Sequence, residues 1–299
     1  MAKVVECVPN ISEGRDKEKV EACLEPIRNT DGVKLLDYSS DPDHNRTVIT
    51  YAGTPEGCVE AAFGLAAKAS ELIDLRKQQG EHPRMGAVDV IPFVPVSGVK
   101  MDDCVEMAKT LGERMWSELK VPVYLYEFAA SAPHRSNLAV IRKGEFEGLG
   151  KKMKDPLWKP DFGGDMPHES AGATVVGARN FLVAYNINLD CKDLKTGKKI
   201  VKCIREVKGG LANVKAMAVW LEDREQVQIS MNLVNPFDTP MYRVFELVKL
   251  EAARYGVSIV GSEIVGLVPL EALVNTVDFY LRFEAFKTNQ IIEVQIFGE

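Results

Sequence analysis

Four histidines are all that this 299-residue chain contains, and the motifs that commonly announce a chemistry are missing. There is no H-E-x-x-H, no H-x-H and no carboxylate run with calcium-loop spacing, so no metal site is legible. A P-loop, a G-x-G-x-x-G opening and a G-x-S-x-G elbow are also absent, which removes the usual nucleotide-binding and serine-hydrolase signatures. The six cysteines (Cys7, Cys23, Cys58, Cys104, Cys191 and Cys203) form no C-x-x-C pair and no zinc-ribbon spacing. Scattered through expected strands and helices, they read as reduced thiols acting as small buried hydrophobes. No window is apolar enough to span a bilayer, and Met1-Ala2-Lys3 leads into a strand without a signal pattern. A cytoplasmic protein is expected, with the sequons Asn10-Ile11-Ser12 and Asn45-Arg46-Thr47 unglycosylated. Basic charge is lacking as well: the formal net charge is −6, which argues against a nucleic-acid surface but leaves room for a local anion site.

What is present is a globular composition, 46% hydrophobic and 27% charged, at a length that suggests two packed units. The pattern alternates strand and helix. Lys3 to Val8 reads as a strand, Asp16 to Ile27 as a helix, Val33 to Tyr38 and Thr47 to Ala52 as strands. Thr54 then caps a helix with Pro55 at its first position, and Ala87 to Val94 is a strand. A helix over Met101 to Leu119 and a strand over Val121 to Tyr126 extend that sheet. The second half repeats the rhythm: strand Phe181 to Leu189, helix Cys191 to Val207, a hairpin of Val214 to Leu221 with Gln226 to Val234, helix Pro240 to Tyr255 capped by Thr239, and strand Val257 to Ile264. Each half is β-α-β-β-α-β, so an α/β (α+β) fold of two ferredoxin-like subdomains packed around a central cleft is expected. The boundaries are 1–178 and 179–299. Lys143 to Ala178 reads as an irregular linker or binding loop, glycine-dense from Gly163 onward.

Histidine suits proton transfer near neutral pH. His82 stands in Gln79-Gly80-Glu81-His82-Pro83-Arg84-Met85-Gly86, a constrained loop that opens directly into an apolar strand. An exposed loop histidine with an accidental neighbourhood is the plain alternative. Val8-Pro9-Asn10-Ile11-Ser12-Glu13-Gly14 is a polar turn feeding a helix N-terminus, where backbone N–H groups favour anions; a simple helix start explains it equally. Arg46 at a strand entrance could grip a carboxylate bidentately or form a surface ion pair. Strand alternation puts Asn186 and Asn188 on one face, suited to amide-like or pterin-like edges unless the strand is an exposed edge.

Together these residues resemble the formiminotransferase family. The carrying motifs run from Glu6-Cys7-Val8-Pro9-Asn10-Ile11-Ser12-Glu13-Gly14 through Asn45-Arg46-Thr47, Gly80-Glu81-His82-Pro83-Arg84-Met85-Gly86, Pro122-Val123-Tyr124-Leu125-Tyr126, Pro160-Asp161-Phe162-Gly163, Gly172-Ala173-Thr174, Gly177-Ala178-Arg179 and Asn186-Ile187-Asn188 to Val265-Gly266-Leu267-Val268-Pro269. They span nearly the whole chain in order. The resemblance implies transfer of a formimino group between 5-formiminotetrahydrofolate and L-glutamate, giving N-formimino-L-glutamate and tetrahydrofolate, in histidine breakdown. Tetrahydrofolate is then a co-substrate, no metal is needed, and a homodimer is expected. His82 matches the family's catalytic histidine, with Arg46 and Asp37 as further catalytic candidates. Where some relatives carry a second acid two residues beyond Asp37, this chain has Ser39. The folate-binding segment maps to Gly163, Gly164, Asp165, Met166, Pro167, His168, Glu169, Ser170, Ala171 and Gly172. Asn10, Ser12, Arg84, Asn186 and Asn188 are expected to contact substrate, and Arg46, Arg84 or Arg179 to hold carboxylates. Bifunctional relatives continue into a cyclodeaminase domain, an activity this chain is expected to lack. Rival readings are a 5-formyltetrahydrofolate:glutamate formyltransferase on the same scaffold, a non-catalytic folate- or anion-binding module, and a two-subdomain interaction protein.

Overall fold

The first strand is broken by a proline, which cannot donate to a ladder. β1 (Val4–Cys7) stops before Val8-Pro9 and the chain resumes as β2 (Asn10–Ile11), both running between the same two neighbours. The computed structural model describes residues 2–297 and divides into two units, Met1–Arg179 and Asn180–Glu299. In the first, α1 (Lys17–Arg28), β3 (Val33–Asp41), β4 (Arg46–Gly53), α2 (Pro55–Leu72) and β5 (Val88–Ser97) follow. The order β3-β4-β1/β2-β5, antiparallel throughout, is the ferredoxin-like arrangement. Thr54 caps α2 through the Gly57 N–H (3.2 Å) with Pro55 at the first position, and Asp16 caps α1. α3 (Met101–Arg114) runs into one wide π turn (Met115–Leu119) before β6 (Val123–Glu127).

The stretch from Lys143 to Ala178 is more ordered than its composition suggested. α4 (Leu138–Arg142) leads into it, and it contains α5 (Glu145–Lys152) and β7 (Thr174–Ala178). β7 lies between β5 and β6, parallel to both, and every residue in it is buried. A parallel strand covered on both faces shows a continuous apolar run rather than alternation, so Thr174 to Ala178 lacked the period-two signal.

The helices α1, α2 and α3 cover one face of this seven-stranded sheet. Leu24, Ile27, Leu65, Ala66, Leu111, Ile49, Tyr51, Ile91 and Phe93 form its core, together with the buried thiols of Cys7, Cys23, Cys58 and Cys104. On the opposite face, Ile141 of α4 and Leu149 of α5 pack over Val90, Tyr124, Tyr126 and Val175. Cross-strand partners share a face, so the register puts Asn10, Asp37, Asp41, Arg46, Val48 and Thr50 on that same side.

The second unit has β8 (Val183–Leu189), α6 (Leu194–Ile204), β9 (Val214–Leu221), β10 (Gln226–Leu233), α7 (Met241–Ala253) and β11 (Ile259–Val265). Its order β11-β8-β10-β9, again antiparallel, repeats the ferredoxin-like path. Thr239 does not cap α7: Pro240 holds that position, and the Thr239 hydroxyl donates instead to the Ala212 carbonyl (2.7 Å). α8 (Leu270–Leu281) and α9 (Ile292–Phe297) extend the chain beyond the strands anticipated from sequence. No helix among the described residues is long and apolar enough to cross a membrane.

Candidate active site

One asparagine ties three loops of the first unit together. Asn45 adopts φ +49°, a left-handed conformation that Asn tolerates better than most residues. Its Oδ1 accepts the Gly14 N–H (2.9 Å), its Nδ2 donates to the Gln79 carbonyl (2.9 Å), and its own carbonyl accepts from Gln78 Nε2 (3.0 Å). The Glu81 N–H donates to the Asp43 carbonyl (3.2 Å). Glycine is required at position 80, because a Cβ there would stand 2.3 Å from the His44 carbonyl oxygen. At the far end of the loop, the Ser12 hydroxyl donates to the Gly86 carbonyl (2.7 Å) and the Ser12 N–H to the Ala87 carbonyl (2.9 Å). The loop carrying His82 is thus anchored on both sides.

His82 is 8% exposed, and among the described residues its ring makes no hydrogen bond. Burial, then the charges of Arg46, Arg142 and His44, push its pKa down from 6.5 to about 2, against a smaller opposing effect of Asp41. The imidazole is neutral across the physiological range. The guanidinium of Arg46, half-buried at the entrance of β4, has neither a hydrogen bond nor an ion pair among the described residues. Burial and Arg142 depress its pKa, while Asp89 and Asp41 oppose them. A half-buried guanidinium without a partner is costly to maintain and is a natural anion receptor.

The other expected residues divide by what they touch. Arg84 is occupied: it forms a bidentate pair with Glu147 (2.9 and 2.8 Å), meets Glu145 at 3.3 Å, and donates to the Gln78 side chain (2.7 Å) and carbonyl (3.1 Å). Ser12 is likewise engaged in holding the loop. Asn10 donates to the Val8 carbonyl (3.2 Å). The acid acting on His82 is Asp41; Asp37 lies four residues further along β3, roughly 13 Å away at strand rise. The turn ahead of α1 does not offer free N–H groups to an anion. Glu13 Oε1 accepts those of Gly14, Arg15 and Asp16, and Asp16 accepts those of Glu18 and Lys19. Arg179 donates its N–H to the Phe93 carbonyl (3.0 Å), and its charge acts on Glu6 and Tyr126.

The Gly163 to Gly172 segment runs up to the His82 loop. Ala87 N–H donates to the Ala171 carbonyl (2.9 Å) and Ala173 N–H to the Met85 carbonyl (3.0 Å). His168 Nδ1 accepts the Ala171 N–H (3.1 Å), which closes the turn on itself. Gly172, at φ +70°, approaches so closely that a Cβ would lie 2.1 Å from the Met85 oxygen. Met166 projects from this segment, 57% exposed.

In the second unit, Asn186 and Asn188 do share the face of β8 away from the helices. Gln228 and Glu263 join them across the register. Asn186 Nδ2 and Gln228 Nε2 both donate to Glu263 Oε1 (3.1 and 3.0 Å), and Gln228 Nε2 also reaches Asn188 Oδ1 (3.0 Å). Burial drives Cys23, Cys58 and Cys104 up to about 12, so these three thiols do not compete as nucleophiles. Among the described residues no group of His, Cys, Asp and Glu is arranged to hold a metal ion.

Comparison with known proteins accounts for this geometry. Residues 4–179 match the formiminotransferase domain, N-terminal subdomain, and residues 184–296 match the formiminotransferase domain. The chain belongs to the formiminotransferase family. It is 51% identical over 292 residues to the glutamate formimidoyltransferase of Thermoplasma acidophilum, covering 97% of this chain and 96% of that one. The Streptococcus pyogenes protein of the same name is 48% identical over 299 residues, with both chains fully covered. Formimidoyltransferase-cyclodeaminase of Rattus norvegicus is 46% identical over 286 residues, which are 94% of this chain and 53% of that one.

For this formiminotransferase, sequence reasoning overlooked Arg142, Asp89, Gln78, Gln228 and Glu263. Gln228 was findable, since Gln226, Gln228, Ser230 and Asn232 alternate with apolar residues along β10. Arg142 carried no local signal, because it ends a five-residue helix and its partner Asp89 is distant in sequence.

Proposed function

We propose that this chain is a glutamate formimidoyltransferase that moves a formimino group between 5-formiminotetrahydrofolate and L-glutamate, as a step of histidine degradation. The observation that carries the reading is a buried, neutral imidazole on an anchored loop beside the unpartnered Arg46 guanidinium. The amino nitrogen of glutamate attacks the formimino carbon, and a C–N bond forms. The bond from that carbon to N5 of the folate then breaks, and the proton lost by the amine ends on N5. His82 takes that proton and returns it, one group acting as base and then acid. Holding both substrates together supplies much of the remaining acceleration. The Gly163 to Gly172 segment is the folate-binding loop. Asn186 and Asn188, oriented through Gln228 and Glu263, and Asn10 form polar recognition surfaces, while Ser12 and Arg84 hold the catalytic loop. Asp37 contributes negative charge to the same sheet face. No metal takes part. The protein is cytoplasmic and dimeric, a state supported by the exposed stripe of Leu270, Leu273 and Val277 on α8.

The test is to mix the protein with tetrahydrofolate and N-formimino-L-glutamate and follow the folate absorbance. Appearance of 5-formiminotetrahydrofolate is expected, and an unchanged folate spectrum after long incubation would sink the reading. Parallel kcat/KM values with 5-formyltetrahydrofolate and 5-formiminotetrahydrofolate as donors to glutamate fix the donor, and the formimino compound is expected to be preferred.

A further inference from the structure

Arg142 is the least expected member of the His82 neighbourhood. It ends α4, whose Leu138 and Ile141 pack in the cluster over β5, β7 and β6. Its Nη2 meets Asp89 Oδ2 as a close ion pair without hydrogen-bond alignment, and its Nε is buried without a partner. Asp89 is 1% exposed and uses its other oxygen to accept the Met85 N–H (2.8 Å) at the exit of the His82 loop. An unpaired buried Nε is not peculiar to Arg142, since Arg135 and Arg205 share it. The difference is in the surroundings: Arg135 faces Asp161 and two carbonyl oxygens, whereas the charge of Arg142 acts on Arg46 and His82.

The charges at this site are unbalanced. Two guanidinium groups stand at this site against one buried carboxylate, Asp89. Asp41, opposite Arg46 in the register, is exposed and engaged: one oxygen meets His44 Nδ1 (2.7 Å) and the other accepts two backbone N–H groups. Like charges held together in a partly desolvated setting call for an anion.

We propose that Arg142, held by Asp89, forms with Arg46 a two-guanidinium receptor for a carboxylate of the amino-acid substrate, beside His82. The inference rests on the reading above that the acceptor is glutamate, and it identifies which arginines hold it: Arg46 and Arg142, not Arg84. Asp89 is a positioning residue that aligns Arg142 and, through Met85, the end of the His82 loop. Arg46 and Arg142 touch the substrate. Burial is the main cause of the low His82 basicity and persists in the complex, but a bound carboxylate offsets the Arg46 and Arg142 charges that add to it, so the acceptor shifts His82 toward greater basicity.

The experiment uses the full chain with tetrahydrofolate bound and titrates L-glutamate and glutarate, a dicarboxylate without the amine, by calorimetry. Arg46→Gln and Arg142→Gln are each expected to weaken both ligands at least tenfold while tetrahydrofolate affinity stays at wild type. Arg142→Lys should recover part of the loss, because a point charge replaces a fork. Asp89→Asn should raise KM for glutamate and lower kcat together, since it disturbs both the receptor and the loop. Wild-type glutarate affinity in Arg46→Gln or in Arg142→Gln, with folate binding intact, overturns the proposal. If Arg142→Gln does not fold, Arg46→Gln and Arg142→Lys decide. Absence of transferase activity in the wild-type protein would end the functional reading alone, because glutarate binding is measured without turnover.

Discussion

The two units trace the same βαββαβ path, yet they treat the sheet face opposite the helices of that path in opposite ways. In the second unit the polar groups bond to one another: three hydrogen bonds link Asn186, Asn188, Gln228 and Glu263. In the first, among the described residues, the Arg46 guanidinium has no partner, the His82 ring makes no hydrogen bond, and Arg142 is only partly matched by Asp89. The fold therefore does not determine which face does chemistry. A satisfied network specifies shape and neutral recognition, whereas an unbalanced one stores an affinity for charge.

The strongest way to break this contrast is at His82. His82→Ala should retain the fold by circular dichroism and lose about 10²–10⁴ in kcat, whereas Asn188→Ala should mainly raise the Kd for tetrahydrofolate. Near-wild-type kcat in the His82 variant would remove the first unit's claim to the chemistry. Next is the loop itself. Gly80→Ala pushes a methyl into the His44 carbonyl, and a fall in kcat with unchanged KM for folate is expected from steady-state kinetics.

Acidity probes the same imbalance. A histidine whose folded pKa lies far below its unfolded value of 6.5 makes the unfolded chain bind the extra proton. Its neutral form is undisturbed above pH 6.5, and stability is lost as pH falls from there toward about 2. His82→Gln should flatten that part of the stability–pH curve in chemical denaturation, while substitutions in the second unit's amide set should leave it unchanged. The His82 ring resonances followed by NMR at pH 6 sharpen the point: adding glutarate should shift them toward the imidazolium positions, with Arg46, Arg142, His44 and Asp41 as the charges facing the ring.

Two smaller effects are matters of stability. Gln228→Leu removes the donor shared by Asn188 and Glu263 and should destabilise the second unit by about 1–3 kcal/mol. Thr54→Ala, which deletes the cap of α2, should cost about 1 kcal/mol in the first. Both are read from the midpoint of urea unfolding.

Much of this was legible in the sequence because local rules and tertiary packing agree. Thr54-Pro55 starts α2 as capping chemistry dictates, and strand alternation put Asn186 and Asn188 on one face. The repeated element order exposed the two ferredoxin-like units. Elsewhere the decisive terms were nonlocal. β7 hides because a strand buried on both sides has no alternating pattern, and Thr239 was drawn away from its helix by the Ala212 carbonyl. Arg84 and Arg46 look alike as residues in polar motifs. Only the tertiary structure shows that Glu147 occupies the Arg84 guanidinium, while that of Arg46 has no partner among the described residues.

Lys152 gives the placement of Arg142 its fragility. Its ammonium donates to the carbonyls of Val140, Ile141 and Lys143 and lies over the Trp158 ring at 3.9 Å, and burial lowers its pKa to about 8. A helix as short as α4 has no independent stability, so the guanidinium at its end depends on the packing of Ile141, on the Asp89 ion pair and on an amine further along the chain that clamps the last turn. Mild alkali or acylation of that amine would loosen the turn and blunt acceptor capture, although no atom that meets a substrate had been altered.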